Sequence, residues 1–483
     1  MRPRFLFAAL SLAALAAYWF SLAPSITWRN NGADSGDLAA AVAVGGVPHP
    51  PGFPTYLLLG SLFVRLPVGD VAYRLNLLSA VAAALTVALI GLILRRLLAR
   101  HGDYQLAGLC AATAALLLAF TPLFWSQAVI TEVYTVSALA ATLLLWLALQ
   151  ISPGNQRRLL PLWAAILGLS LGTHLSILLF LPVLLAALNL RWRRSLLLPA
   201  VVAFGAGLAV YLLLPWRASA QPPVNWGAAT SATSFFELVT ARIYRPYLLA
   251  APASIMWARA SGSLSLLGGG LGWWGLPPVV LGLTRLWQAQ RRLAMGSLVS
   301  TALFVGYALS YNTADSVVYL LPALLLAAIW LGWGLFDAGQ ALAAHIHIPR
   351  GAGWALLALP LLVLGLNFPQ QNLSRDTVAL QFARQKLESA PANAVILVED
   401  DAATFALWYG RYALNLRPDT AIVNSNLLAF DWYRRTLQAT HPRLLLADPA
   451  GTPTRSLEEF TRWNRSAAPL QYTLNDTTNP HHK

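Results

Sequence analysis

Gly32-Ala-Asp-Ser-Gly-Asp-Leu38, followed a few residues later by Val47-Pro-His-Pro-Pro-Gly-Phe-Pro54, decides how this chain is read. The stretch lies between two apolar runs, at residues 5–22 and 75–94. Runs of this length suit a hydrocarbon core about 30 Å thick. Polar groups at the rim of a bilayer are costly to hold and usually mark a site. Two carboxylates, Asp34 and Asp37, and one histidine, His49, in the first loop therefore point to chemistry as well as anchoring.

Working outward, similar runs recur, and eleven spans are expected: 5–22, 75–94, 104–124, 128–149, 159–173, 174–190, 196–215, 266–286, 294–311, 316–336 and 353–368. The composition agrees, with 57% hydrophobic and 11% charged residues, against about 25% charged in soluble domains. The first run, behind Arg2 and Arg4, also has the look of a signal peptide. Pro24 spoils the small-x-small cleavage pattern, which favours a retained anchor.

The net charge of +14 is not a nucleic-acid signal, because the arginines do not share one amphipathic face. They cluster at alternate span ends: Arg2 and Arg4; Arg95, Arg96 and Arg100; Arg157 and Arg158; Arg191, Arg193 and Arg194; Arg285, Arg291 and Arg292; Arg350. By the positive-inside rule all are cytoplasmic. The N-terminus is then cytoplasmic, and the loops 23–74 and 216–265 and everything after Phe368 are extracytoplasmic. The single cysteine, Cys110, lies in an apolar span and reads as a packing residue.

The chain divides into a membrane part, 1–368, and a polar part, 369–483. In the latter, Ala394–Val398 reads as a buried strand with Glu399-Asp-Asp401 at its end. A helix is expected over 402–414, further strands over 421–423 and 443–447, and a disordered tail from Asn475. The fold class is thus an α-helical polytopic membrane protein with a small extracytoplasmic α/β domain. No inverted repeat is visible, which lowers the case for a secondary transporter.

Each polar motif has a plain reading beside the functional one. Asp34 could cap a surface helix, with Asp37 three positions on; it could equally deprotonate an acceptor hydroxyl. Four prolines and a glycine around His49 make a rigid corner, read either as a structural turn or as a support that holds His49 near Asp34. Glu132 and His174 sit at expected outer span ends, as a paired interfacial carboxylate and a satisfied core histidine, or as cavity-lining groups. Arg217, Arg242, Arg245 and Arg259 stand on the side where cations should be rare. They suit lipid headgroups or solvent, or a bound phosphate. Asn312 and Asp315 form a polar cluster or a tight turn. Walker A, dinucleotide and zinc patterns are absent, and Asp34-x-x-Asp37 is not the D-x-D of metal–nucleotide enzymes.

These residues resemble a large bacterial membrane family, long uncharacterised, that includes the animal transmembrane protein O-mannosyltransferase acting on plexins and related receptors. The resemblance rests on Asp34-Ser-Gly-Asp37, Gly46-Val-Pro-His-Pro-Pro-Gly-Phe-Pro-Thr-Tyr56 and Arg74-Leu-Asn-Leu-Leu-Ser79. Looser matches are Thr131-Glu-Val-Tyr134, Gly172-Thr-His174, Pro223-Val-Asn-Trp-Gly227, and Tyr311-Asn312 with Asp315. Ala33 stands where the family often has glycine, and Asp37 where it often has glutamate.

The resemblance implies a GT-C-type inverting glycosyltransferase of the bacterial cytoplasmic membrane, with a polyprenyl-phosphate sugar as donor and a protein or glycan as acceptor. It makes Asp34 the catalytic base and Asp37 a positioning group. His49, Glu132, His174, Asn312 and Asp315 would bind substrate, and Arg217, Arg242 and Arg245 the lipid phosphate. The mechanism in principle needs no metal, although relatives of the fold include some that use a divalent cation. The rival expectation is a polytopic transporter or flippase of a lipid-linked or polar substrate.

Overall fold

The structure is a computed structural model that describes residues 3–191, 193–271, 273–345, 351–448, 451–465 and 468–473. Arg2, Arg350 and the expected tail from Asn475 lie outside the described residues.

Three short elements separate the first two long helices. Helix α1 (Pro3–Ser21) leads into a 3-10 turn (Arg29–Asp34) and then α2 (Ser35–Ala43), α3 (Pro54–Phe63) and α4 (Val71–Leu98). Asp70 caps α4 by accepting from the Tyr73 amide at 2.8 Å, and Arg95 and Arg96 close its last turn. Such charges suit the positive N-terminus and negative C-terminus of a helix. At 28 residues, α4 is about 42 Å long, ample for a bilayer.

Next come α5 (Tyr104–Ala119), α6 (Pro122–Ala128), α7 (Tyr134–Gln150), α8 (Gln156–Leu171) and α9 (Leu181–Ala187). They are followed by α10 (Leu197–Leu208), α11 (Leu213–Ser219), α12 (Ala232–Val239) and α13 (Ala253–Leu271). The membrane part ends with α14 (Leu276–Ala289), α15 (Arg291–Ser310), α16 (Leu321–His345) and α17 (Ala358–Gln371).

Six helical segments among the described residues are long and apolar enough to cross a membrane, seven if the α5–α6 pair, bent by 68°, is one span. The expected count of eleven is therefore not reproduced by length and composition. The shortfall has local causes. Pro122 restarts the chain after α5, and a 3-10 turn (Leu175–Phe180) precedes α9. The expected span 266–286 straddles the break between α13 and α14. The expected loop 216–265 is largely helical, holding part of α11, all of α12 and part of α13. Outward-facing apolar side chains such as Leu198, Val201 and Leu212 are exposed, as on a lipid-facing surface. Inside, small residues let backbones meet: a Cβ at Gly282 of α14 would run into the Trp330 carbonyl of α16.

The polar part carries α18 (Val378–Glu388), α19 (Asp401–Trp408), α20 (Asp431–Thr440) and α21 (Leu457–Asn464) around a three-stranded parallel sheet. Its strands are β1 (Val395–Val398), β2 (Ala421–Asn424) and β3 (Leu470–Thr473), in the order β2-β1-β3. Val395 pairs with Ala421 on one side and Leu470 on the other. β1 and β2 are buried along their whole length, as parallel strands covered on both faces require.

The strand expected over 443–447 is not in this sheet. Asn464 instead ties the Leu445 amide and carbonyl at 2.8 and 2.9 Å, and Ala447 makes only an isolated bridge to Pro453. The 402–414 helix appears as α19 continued by a π turn over Tyr409–Ala413.

The α/β part packs directly on the first loop. Trp28 donates to the Ala402 carbonyl at 3.2 Å, its ring meets Phe382 at 5.1 Å, and Thr27 bonds Asp376. A Cβ at Gly36 of α2 would collide with the Phe405 carbonyl of α19. Gly36→Val is therefore expected to separate α2 from α19 and cost about 1–3 kcal/mol, the usual range for overpacking. The check is the thermal unfolding of the detergent-solubilised protein against Gly282→Val, which strains a helix pair away from this contact.

Candidate active site

The first loop is built to leave one carboxylate partly exposed and to bury the other. Asn30 and Asn31 adopt left-handed backbone with φ of 60°, a conformation asparagine tolerates better than most residues. The Ser35 hydroxyl closes the turn on the Gly32 carbonyl at 2.6 Å. Asp34 then occupies the N-cap position of α2, but its side chain makes no capping bond. Asp37, one turn into α2, is fully buried.

Asp37 reaches the proline corner. Its Oδ2 accepts from the His49 amide at 2.8 Å and lies 2.7 Å from His49 Nδ1. Its Oδ1 accepts from Trp226 Nε1 at 3.0 Å. The corner is fixed by a turn from Gly52 to the His49 carbonyl. It is fixed again by backbone bonds from Val47 to Val224 and from Trp226 to Val47, at 2.9 and 3.1 Å. The His49 ring meets Phe53 at 5.1 Å and stacks at 6.4 Å on Phe405. Its Nε2 ends 3.6 Å from Asp34 Oδ2.

A histidine between two carboxylates is thereby charged. Burial alone would lower its pKa, but Asp34 and the hydrogen bond with Asp37 outweigh that and raise it to about 9. Burial pushes Asp34 up to about 6; His49 pulls it back, while Asp315, Asp37 and Asp401 add to the rise. The Asp34 side chain is 37% exposed, and it lines a cavity.

The cavity has a volume of about 630 Å³. Asp34, His49, His174, Arg245, Asp315 and Asp401 bring their charges or ring nitrogens to it. Tyr134, Tyr307, Tyr311 and Tyr319 form an aromatic wall, with Tyr307 and Tyr311 stacked at 5.2 Å and Tyr307 and Tyr319 edge-on at 4.7 Å. His174 joins this wall through Tyr319 at 5.6 Å, its Nδ1 accepting from the Ser176 amide at 3.1 Å. Arg259 holds the loop carrying Asp315 by donating to the carbonyls of Tyr311 and Thr313, both at 2.6 Å.

Other expected residues stand elsewhere. Asp37 holds His49 and does not line the cavity. Glu132 is buried behind it, with its carboxylate 3.4 Å from the Val133 amide. Asn312 is not among the lining residues; its amide donates to the Tyr247 carbonyl at 2.9 Å. Arg217 is buried in α11, bonded to the Gly46 carbonyl and the Ser61 hydroxyl at 3.2 and 2.9 Å. It braces the proline corner away from the cavity. Arg242 pairs with Glu237 outside the cavity. Of the three arginines expected at a phosphate, Arg245 alone lines the cavity. Among the described residues, no group of three or more His, Cys, Asp or Glu side chains is arranged to hold a metal ion.

Two contributors were not expected. Trp226 anchors Asp37 from 189 residues away, and Asp401 arrives from the α/β part. The Glu399-Asp-Asp401 triplet was visible, but nothing local joined it to Asp34.

Residues 34–196 match the family model of the protein O-mannosyl-transferase TMEM260 N-terminal domain, and residues 379–442 match TMEM260-associated domain 2. The mouse protein O-mannosyl-transferase TMEM260 is 27% identical over 438 residues, covering 83% of this chain and 60% of its own length. The Dictyostelium discoideum relative of the same name is 21% identical, covering 84% and 56%. The chain thus spans a little over half the length of these curated relatives. Among solved structures, ArnT from Cupriavidus metallidurans bound to undecaprenyl phosphate superposes with a TM-score of 0.58 at 15% identity, over 95% of this chain and 90% of that one. Its apo form gives 0.56 at 15% identity, over 87% and 89%. The chain has the GT-C fold and is similar in sequence to the TMEM260 protein O-mannosyl-transferases.

Proposed function

We propose that this chain is a membrane glycosyltransferase that moves a sugar from a polyprenyl-phosphate donor to an acceptor hydroxyl by one inverting displacement. The observation that carries the reading is the Asp34 carboxylate, which has no hydrogen bond among the described residues and faces the cavity beside a charged His49. The fold supports a lipid-linked donor, since ArnT, which shares it, holds undecaprenyl phosphate. The names of the sequence relatives support mannose as the sugar and a protein hydroxyl, serine or threonine, as the acceptor. The arginine pattern supports a cavity on the extracytoplasmic face of a bacterial cytoplasmic membrane, with the N-terminus inside.

In this mechanism the acceptor oxygen attacks the anomeric carbon from the face opposite the phosphate. The C–O bond to phosphate breaks, its electron pair leaves with the phosphate, and the acceptor proton passes to Asp34. A base with a pKa of about 6 is ionised at neutral pH yet basic enough to take a proton as the bond forms. Arg245, whose one side-chain hydrogen bond among the described residues is a 3.4 Å contact to the Thr240 hydroxyl, offers its guanidinium fork to the departing phosphate. His49 keeps Asp34 ionised and adds positive charge to the cavity, while Asp37 keeps His49 charged. The tyrosine wall offers flat faces and hydroxyls to the sugar ring.

Purified protein given polyprenyl-phosphate mannose and a Ser/Thr-rich peptide should transfer label. Asp34→Asn should reduce transfer by about 10²–10⁴-fold, the usual contribution of a general base. Equal transfer by the variant would remove Asp34 from the chemistry. The pH profile should be a bell. Below about 6 Asp34 is protonated and cannot accept a proton; above about 9 His49 loses the charge that faces the cavity. Asp37→Asn removes the carboxylate that favours the imidazolium and helps raise Asp34, so the alkaline limb should move to lower pH and the acid limb should move down with it by less. Rates measured from pH 5 to pH 10 check both limbs.

A further inference from the structure

We propose that Asp401, supplied by the α/β part, is an acceptor-positioning residue that selects hydroxyl acceptors flanked by a cationic group. The inference rests on the glycosyltransferase reading and deepens it.

The cavity has two kinds of rim. Tyr134, His174, Tyr307, Tyr311 and Tyr319 come from the ends of membrane helices or the short turns beside them. A lipid-linked donor approaching along the bilayer would come from this side. Trp28, Asp401 and Ala402 come from the first loop and the α/β part, where a chain arriving from water would dock. Asp401 is exposed and, among the described residues, its carboxylate has no hydrogen bond or ion pair. Its backbone is nevertheless held firmly. Asp400 caps α19 through the Ala403 amide at 2.8 Å, Trp28 bonds the neighbouring Ala402 carbonyl at 3.2 Å, and Gly36 admits α19 to backbone contact with α2.

A rigidly based, unpartnered carboxylate on a substrate-sized cavity is suited to an N–H donor on the incoming acceptor. The local field sharpens the preference. Asp34 and Asp315 line the same cavity, opposed by His49, and a bound donor adds a phosphate whose charge Arg245 would take up, so the three carboxylates outnumber the one cation left. An ammonium or guanidinium beside the acceptor hydroxyl would complement the remaining negative charge, whereas a carboxylate there would be repelled.

The test uses the full chain, polyprenyl-phosphate mannose, and two Ser/Thr peptides that differ only in flanking lysines or flanking glutamates. Three quantities are measured: acceptor KM, kcat, and hydrolysis of the donor without peptide. Wild type should show a lower KM for the lysine peptide by about two- to fivefold, the size of a partly exposed ion pair. Asp401→Asn should erase the KM difference between the two peptides, and Asp401→Lys should invert it. An unchanged preference in Asp401→Asn overturns the proposal. A parallel fall in transfer and donor hydrolysis also overturns it, by placing Asp401 in the fold or the chemistry. If wild type neither transfers nor hydrolyses the donor, the glycosyltransferase reading itself fails and takes this one with it.

Discussion

The rest of the site depends on a single buried charge. Asp37 has no exposed surface, and a carboxylate taken out of water is tolerable only when hydrogen-bonded and paired. Its partners are the His49 amide, the His49 ring and the Trp226 indole. Satisfying them forces three segments to converge: the helix after the first turn, the proline corner, and the stretch that carries Trp226. Trp226 is in turn packed against Trp432 at 5.2 Å and Phe405 at 6.2 Å, so the α/β part is drawn into the same knot. With Asp37 committed, Asp34 three residues earlier is left free toward the cavity.

The cations follow a similar division. Arg217 is spent bracing the proline corner and Arg259 bracing the Asp315 loop, both through carbonyl oxygens. Arg245 keeps its guanidinium for the cavity. A guanidinium can serve as scaffold or as ligand, and what decides is whether backbone carbonyls surround it. Sequence position alone does not reveal that.

The legible part of the fold and site was that set by local chemistry. Apolar run length announced the membrane helices, and Pro48-His-Pro-Pro announced the corner holding His49. The all-apolar run 395–398 announced the central strand. Positions governed by distant partners were not legible. The spacing of Asp34 and Asp37 could not show which would turn inward, because Trp226 makes that choice. The 443–447 segment has strand character, but Asn464 takes up its backbone groups and β3 forms 23 residues or more further on. Run length alone did not fix where each span breaks, because proline and glycine breaks inside an apolar stretch are invisible to hydropathy.

The contact at Gly36 bears on how such chains can change over time. Because α2 and α19 meet backbone to backbone, the polar part is not a module that recombination could exchange freely. A chimaera joining the membrane part of one relative to the polar part of another would bring together two surfaces shaped separately, and any side chain larger than hydrogen at this position would hold them apart. Inheritance of the two halves as a matched pair is the outcome such an interface favours.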